Sequence, residues 1–113
     1  KHKIMKENFY YNYEICEGHI KVIINIYLTL QNMHNNDGDY KKFYYIDEIY
    51  NRMCPILFKP NPPTKEQLLA ILRKMSTWFL LTHNLGLGKQ NDSYYFRVIK
   101  HEWELEPNAF VLY

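Results

Sequence analysis

Apolar positions come in blocks separated by polar or proline-rich stretches, and the spacing within each block predicts an element. The first block, Ile20 to Leu30, fits two periods. Ile20, Val22, Ile24, Ile26, Leu28 and Leu30 alternate as in a strand, while Ile20, Ile23, Ile24, Tyr27 and Leu28 satisfy helical spacing. A strand from Gly18 to Met33 would far exceed the usual ~5–6 residues. The stretch that follows, Asn32–Asp39, is rich in Asn, Asp and Gly, as a helix exit should be. A buried helix is expected here.

Phe43-Tyr44-Tyr45 reads as a short strand. Ile46, Ile49, Tyr50 and Met53 then follow i, i+3, i+4, i+7 and predict a short helix, with Asp47 and Glu48 in its first turn, where carboxylates favour the positive end of the helix dipole. Pro55 is expected to stop it. Lys59-Pro60-Asn61-Pro62-Pro63 predicts a stiff connector. Thr64 and Gln67 have capping-box spacing, in which each side chain satisfies an orphan amide. Leu68, Leu72, Met75 and Phe79 form the core stripe of the helix they open, Thr64–Phe79. Trp78 to Thr82 turns β-like, Asn84 to Asp92 reads as a glycine-bearing hairpin loop, and Tyr94–Ile99 alternates as the return strand. Residues 1–17 stand apart as a polar, aromatic N-terminal extension, with the domain proper over residues 18–113.

The 113 residues fit one domain, and with 47% hydrophobic and 23% charged residues the chain can bury a core unaided. The first residue is Lys, so a fragment of a longer protein is expected. Asn, Lys, Ile and Tyr number 11 each, a bias expected of an AT-rich genome. Cys16 and Cys54 carry no secretory context and are read as reduced thiols in an intracellular protein. The apolar block is too short for a bilayer span, and no membrane role is expected.

The order helix, strand, helix, helix, strand, loop, strand resembles the winged-helix superfamily over roughly Gly18 to Lys100. Its features are the strand that runs directly into a short helix (Phe43–Met53), the capped helix that follows (Thr64–Phe79) and a hairpin with a polar tip (Leu81–Ile99). The resemblance implies an α+β winged helix-turn-helix fold. Such domains bind DNA, bind RNA or dock proteins. Near-neutral charge and aromatic richness look most like the C-terminal winged helices of RPA-like and CST-like subunits, which dock protein partners at replication forks and telomeres. A nuclear, telomere- or replication-linked nucleoprotein complex, or a telomerase-associated one, is the setting this implies. ESCRT-type and transcription-factor winged helices share the pattern.

Net charge of +2 changes the weighting. A domain that relies on phosphate neutralisation is usually more basic, above about pI 9. With Leu72 at the core centre, the third helix turns Glu66, Gln67, Ala70, Arg73, Lys74 and Thr77 outward. Gln67, Arg73, Lys74 and, on the wing, Lys89 are the candidate nucleic-acid contacts, since Arg or Lys reads guanine and Gln reads adenine. The connector Cys54–Pro63 is longer than the usual turn of about 3–4 residues in a DNA-reading helix-turn-helix. On the return strand, Tyr94, Phe96 and Val98 should face the core, so Tyr95, Arg97 and Ile99 face outward, with Trp103 close by. These four are the candidate partner-binding residues, because Tyr, Trp and Arg dominate interface hot spots. A rival expectation has Tyr95, Ile99 and Trp103 packed under the N-terminal extension. The expected function is protein docking, with DNA binding as the alternative.

Other chemistry is weakly signalled. Gly86-Leu87-Gly88-Lys89 lacks the spacing, the hydroxyl residue and the following helix of a phosphate loop. Cys16-x-x-His19 is half a metal site, and His2, His34, His83, His101 and Cys54 are scattered, so no metal is expected. No nucleophile–base pair can be chosen. Neither catalysis, a cofactor nor a small-molecule substrate is expected.

Overall fold

The computed structural model describes residues 20–58, 61–77, 84–101 and 104. Among these residues, three helices pack on one face of a small antiparallel sheet, an α+β arrangement. In chain order the elements are α1 (Ile20–Asp37), β1 (Tyr44–Tyr45), α2 (Ile46–Leu57), α3 (Lys65–Thr77), β2 (Leu85–Gln90) and β3 (Ser93–Val98), with sheet order β1-β3-β2. The N-terminal extension, Cys16 and His19, the expected strand Trp78–Thr82, Phe79 and Trp103 lie outside the described residues.

The ambiguous first block is helical. Val22, Ile23, Ile26, Tyr27, Leu30 and Met33 are buried, and Leu28 packs against this cluster. Apolar residues wrap most of the helix, and so the alternation that mimicked a strand arises without one. The helix also runs further than expected, through the Asn-rich stretch to Asp37. It stops at Gly38, whose φ of +67° is a conformation only glycine adopts freely. There the Gly38 amide donates to the Asn35 carbonyl (3.2 Å) and the Asp39 amide to that of His34 (3.2 Å), the paired bonds of a Schellman cap.

Pro55 does not stop α2. The helix continues to Leu57, and the Phe58 amide donates to the Cys54 carbonyl at 2.9 Å. A proline here removes one ladder bond, to Asn51. Both residues are exposed, so water can satisfy the freed carbonyl. The connector to α3 therefore begins only at Phe58. The capping box forms as expected: the Thr64 amide donates to Gln67 Oε1 (2.8 Å) and the Gln67 amide to Thr64 Oγ1 (3.1 Å). Leu68, Leu72 and Met75 of the stripe are fully buried. Tyr50 donates to the Pro63 carbonyl at 2.7 Å and ties the connector to α2.

The hairpin departs most from expectation. Leu85 to Gln90, expected in a loop, is strand β2, paired with β3 from Leu85↔Val98 to Gln90↔Ser93. The turn is only Asn91 and Asp92, with φ of +51° and +63°. Two consecutive positive values define the tight turn whose twist matches its strands, and Asn and Asp tolerate that region better than other side chains.

Buried polar groups fasten this sheet to α1. Tyr27, fully buried, donates its hydroxyl to the Lys100 carbonyl, which holds the base of the hairpin. His34, also fully buried, bridges two elements. Its Nδ1 donates to the Asp39 carbonyl (2.8 Å) while Nε2 accepts from the Val98 amide (3.2 Å). Strand β1 pairs only at Tyr44↔Phe96 and Tyr45↔Tyr95. The imidazole thus serves as the acceptor for Val98, which β1 does not reach. Asp37 closes the arrangement by accepting from Tyr44 (2.6 Å) and from Arg52 (2.9 and 3.2 Å).

Candidate interaction surface

Alternation along β3 divides the sheet. Phe96 and Val98 are fully buried, together with their neighbours Tyr44 and Leu85. Tyr95, Arg97 and, just beyond the strand, Ile99 belong to the opposite face. Cross-strand partners share a face, so Tyr45 (opposite Tyr95), Gly88 (opposite Tyr95) and Gly86 (opposite Arg97) complete it. Ile99 is 42% exposed, Tyr45 40% and the adjoining Phe43 45%; Tyr95 and Arg97 are half-buried.

The half-burial of Tyr95 and Arg97 involves this face's own aromatics. Phe43 and Tyr95 meet edge to face at 4.6 Å between ring centroids, and Tyr45 and Tyr95 at 5.5 Å. The Arg97 guanidinium stacks 5.2 Å from the Phe43 ring centroid, a cation–π contact. Tyr45 donates to Gln90 Oε1 at 3.1 Å. The glycines are the floor on which these side chains lie. A methyl group at Gly88 would run into the Tyr95 ring, and one at Gly86 would sit 3.1 Å from the Ile99 side chain. The glycine spacing that superficially suggested a phosphate loop is therefore a packing requirement of a strand.

Of the four expected partner-binding residues, three share this face; Trp103 lies outside the described residues. Sequence reasoning missed Phe43 and Tyr45. Tyr45 could have been found from the alternation of β1 against β3, but only once their register was known.

The expected nucleic-acid set divides differently. Glu66, Gln67, Ala70, Arg73, Lys74 and Thr77 are all exposed along α3. Lys89 sits on β2 opposite Tyr94, not at the hairpin tip. It and Arg73 flank one ring: the Arg73 guanidinium is 4.6 Å and the Lys89 ammonium 5.1 Å from the Tyr94 centroid. Gln67 lies apart from this pair, its carboxamide oxygen held by the cap.

Titratable groups elsewhere behave as structure. Burial pushes the Cys54 thiol up to about 11, which leaves it a poor nucleophile. His34 and His101, 5.4 Å apart between ring centroids, are both lowered from the ordinary histidine value, chiefly by burial. Among the described residues no cluster of three or more His, Cys, Asp or Glu could hold a metal ion, and no helix is long and apolar enough to cross a membrane. A cleft of about 170 Å³ between α1 and α2 is lined by Thr29, Asn32, Met33, Asn36, Arg52 and Ile56.

No protein-family model, curated protein or solved structure matches the chain.

Proposed function

We propose that this chain is a non-catalytic winged-helix domain that docks a protein partner through the outer face of its sheet, within a nucleoprotein complex of the replication or telomere kind. The observation that carries the docking reading is the patch of exposed Phe43, Tyr45 and Ile99 around the half-buried Tyr95, with Arg97 stacked within it. Exposed aromatics beside an arginine have the composition of an interface core. The winged-helix reading is supported by the element order: a helix, a short strand running straight into α2, a capped α3, then a tight hairpin. The RPA-like and CST-like setting, and with it a nuclear location, follows from that resemblance.

DNA binding is the second reading, favoured by the convergence of Arg73 and Lys89 on Tyr94 beside the exposed side of α3. Few phosphates can be neutralised there, so duplex affinity should be weak near physiological salt. The two readings separate in paired measurements. Tyr95→Ser should leave the melting temperature nearly unchanged and release the domain from its native complex. A labelled duplex titrated across a salt series should bind poorly. Sub-micromolar duplex binding with a steep salt slope, lost in Arg73→Glu, would reverse the ranking.

A further inference from the structure

We infer that the occupant of the outer sheet face is an acidic–apolar peptide segment, one that seats an apolar side chain among Phe43, Tyr45 and Ile99 and brings a carboxylate to Arg97. The inference rests on the docking reading and adds the partner's chemistry.

Charge complementarity supplies the argument. Ion pairing among the described residues uses Asp37, Asp47 and Glu48, which are met by Lys42, Lys65 and Arg52. Arg97 takes no part in it. Its Nε is buried without a hydrogen-bond partner, and its guanidinium stacks on the Phe43 ring. A guanidinium carries five donors, and a stacked one is held in place before a ligand arrives. None of the residues of the face is acidic: Phe43, Tyr45, Gly86, Gly88, Tyr95, Arg97 and Ile99. The surface is therefore apolar and aromatic around one cation that has no ion-pair partner among the described residues. A neutral ligand would cover Arg97 and leave it unpaired in a desolvated interface, which costs affinity. A basic ligand would add repulsion to that cost. An aspartate or glutamate flanked by an apolar residue satisfies both halves of the surface, and a charge-assisted bond to a planar guanidinium fixes the ligand's orientation.

The test selects binders from a random dodecapeptide display library on the immobilised 113-residue chain and measures the winners by fluorescence anisotropy. Enriched peptides should pair Asp or Glu with an aromatic or aliphatic neighbour. Their affinity should fall at least about tenfold on Arg97→Gln and on Tyr45→Ser. Arg97→Glu should shift selection toward lysine-bearing peptides. Melting curves for each variant establish that the fold is retained. Enrichment of neutral or basic peptides that still require Tyr45 would overturn the acidic chemistry and leave the docking reading standing. Peptides indifferent to both Tyr45 and Arg97, or no enrichment at all, would overturn both.

Discussion

The two faces of the sheet are built from the same strands and obey opposite rules. On the inner face Tyr44, Phe96, Val98 and Leu85 are closed off from water by three helices. On the outer face Tyr45, Tyr95, Arg97 and Ile99 alternate with them residue by residue, and two glycines stand where the inner face has Leu85. Burial makes the inner side chains interchangeable only at the cost of the fold. The outer side chains keep their places by lying on bare backbone and on each other, so they can change with little loss of stability. A surface so arranged can be specialised for recognition without disturbing what holds it up.

The sharpest way to break this contrast is at Phe96. Phe96→Ala should cost about 3–5 kcal/mol by opening a cavity, and Leu72→Ala on α3 about 2–5 kcal/mol, both read from urea denaturation. A loss below about 1 kcal/mol at either site would mean that the inner face is not the core.

Acid should loosen the inner attachment next. His34 holds Val98 only while its Nε2 is unprotonated, and burial favours the neutral ring in the fold. His101 shifts in the same direction. A lowered folded-state value means that stability is complete above the ordinary histidine pKa of about 6.5 and is lost as pH falls toward the lower folded value. Asp37, held well below the usual carboxylate range by Arg52 and Tyr44, keeps its own contribution until pH falls below that of free aspartate. Thermal melts should therefore decline already between pH 7 and 5, and His34→Gln should flatten that decline. An unaltered slope in the variant would remove His34 from the account.

Gly88→Ala probes the boundary between the faces. The methyl group meets the Tyr95 ring, and overpacking of this kind costs about 1–3 kcal/mol. Because the obstacle is one side chain, the double variant Gly88→Ala/Tyr95→Ser should recover most of the loss, a non-additivity that a double-mutant cycle measures directly. Smallest of all, Ile99→Ser and Lys89→Ala should each stay within about 0.5 kcal/mol. An Ile99→Ser effect as large as that of Phe96→Ala would erase the distinction between the faces.

How far these features could be read from the residues depended on range. The cap at Thr64 and Gln67 and the stripe Leu68–Leu72–Met75 are local, and local spacing found them. The alternation Tyr95–Arg97–Ile99 was readable for the same reason. Gly86 and Gly88 misled, because a glycine in a strand looks like a loop until the side chain lying over it is known, and Tyr95 is reached only through cross-strand register. Pro55 misled in a similar way: its cost depends on whether the Asn51 carbonyl can meet water. His34 looked like a stray histidine, since the gap it fills comes from the brevity of β1.

The whole division of the sheet depends on the length of one turn. Side-chain direction in a strand has a period of 2. Insert a residue between Asn91 and Asp92 and let β2 slide one step along β3: Gly86 and Gly88 then confront Val98 and Phe96, while Leu85 and Leu87 emerge beside Ile99 and Arg97. The composition would be almost unchanged and every strand still present, yet the domain would be hollow where it should be full and greasy where it should be selective. The number of residues in this turn is therefore held as strictly as the positive φ that Asn91 and Asp92 supply.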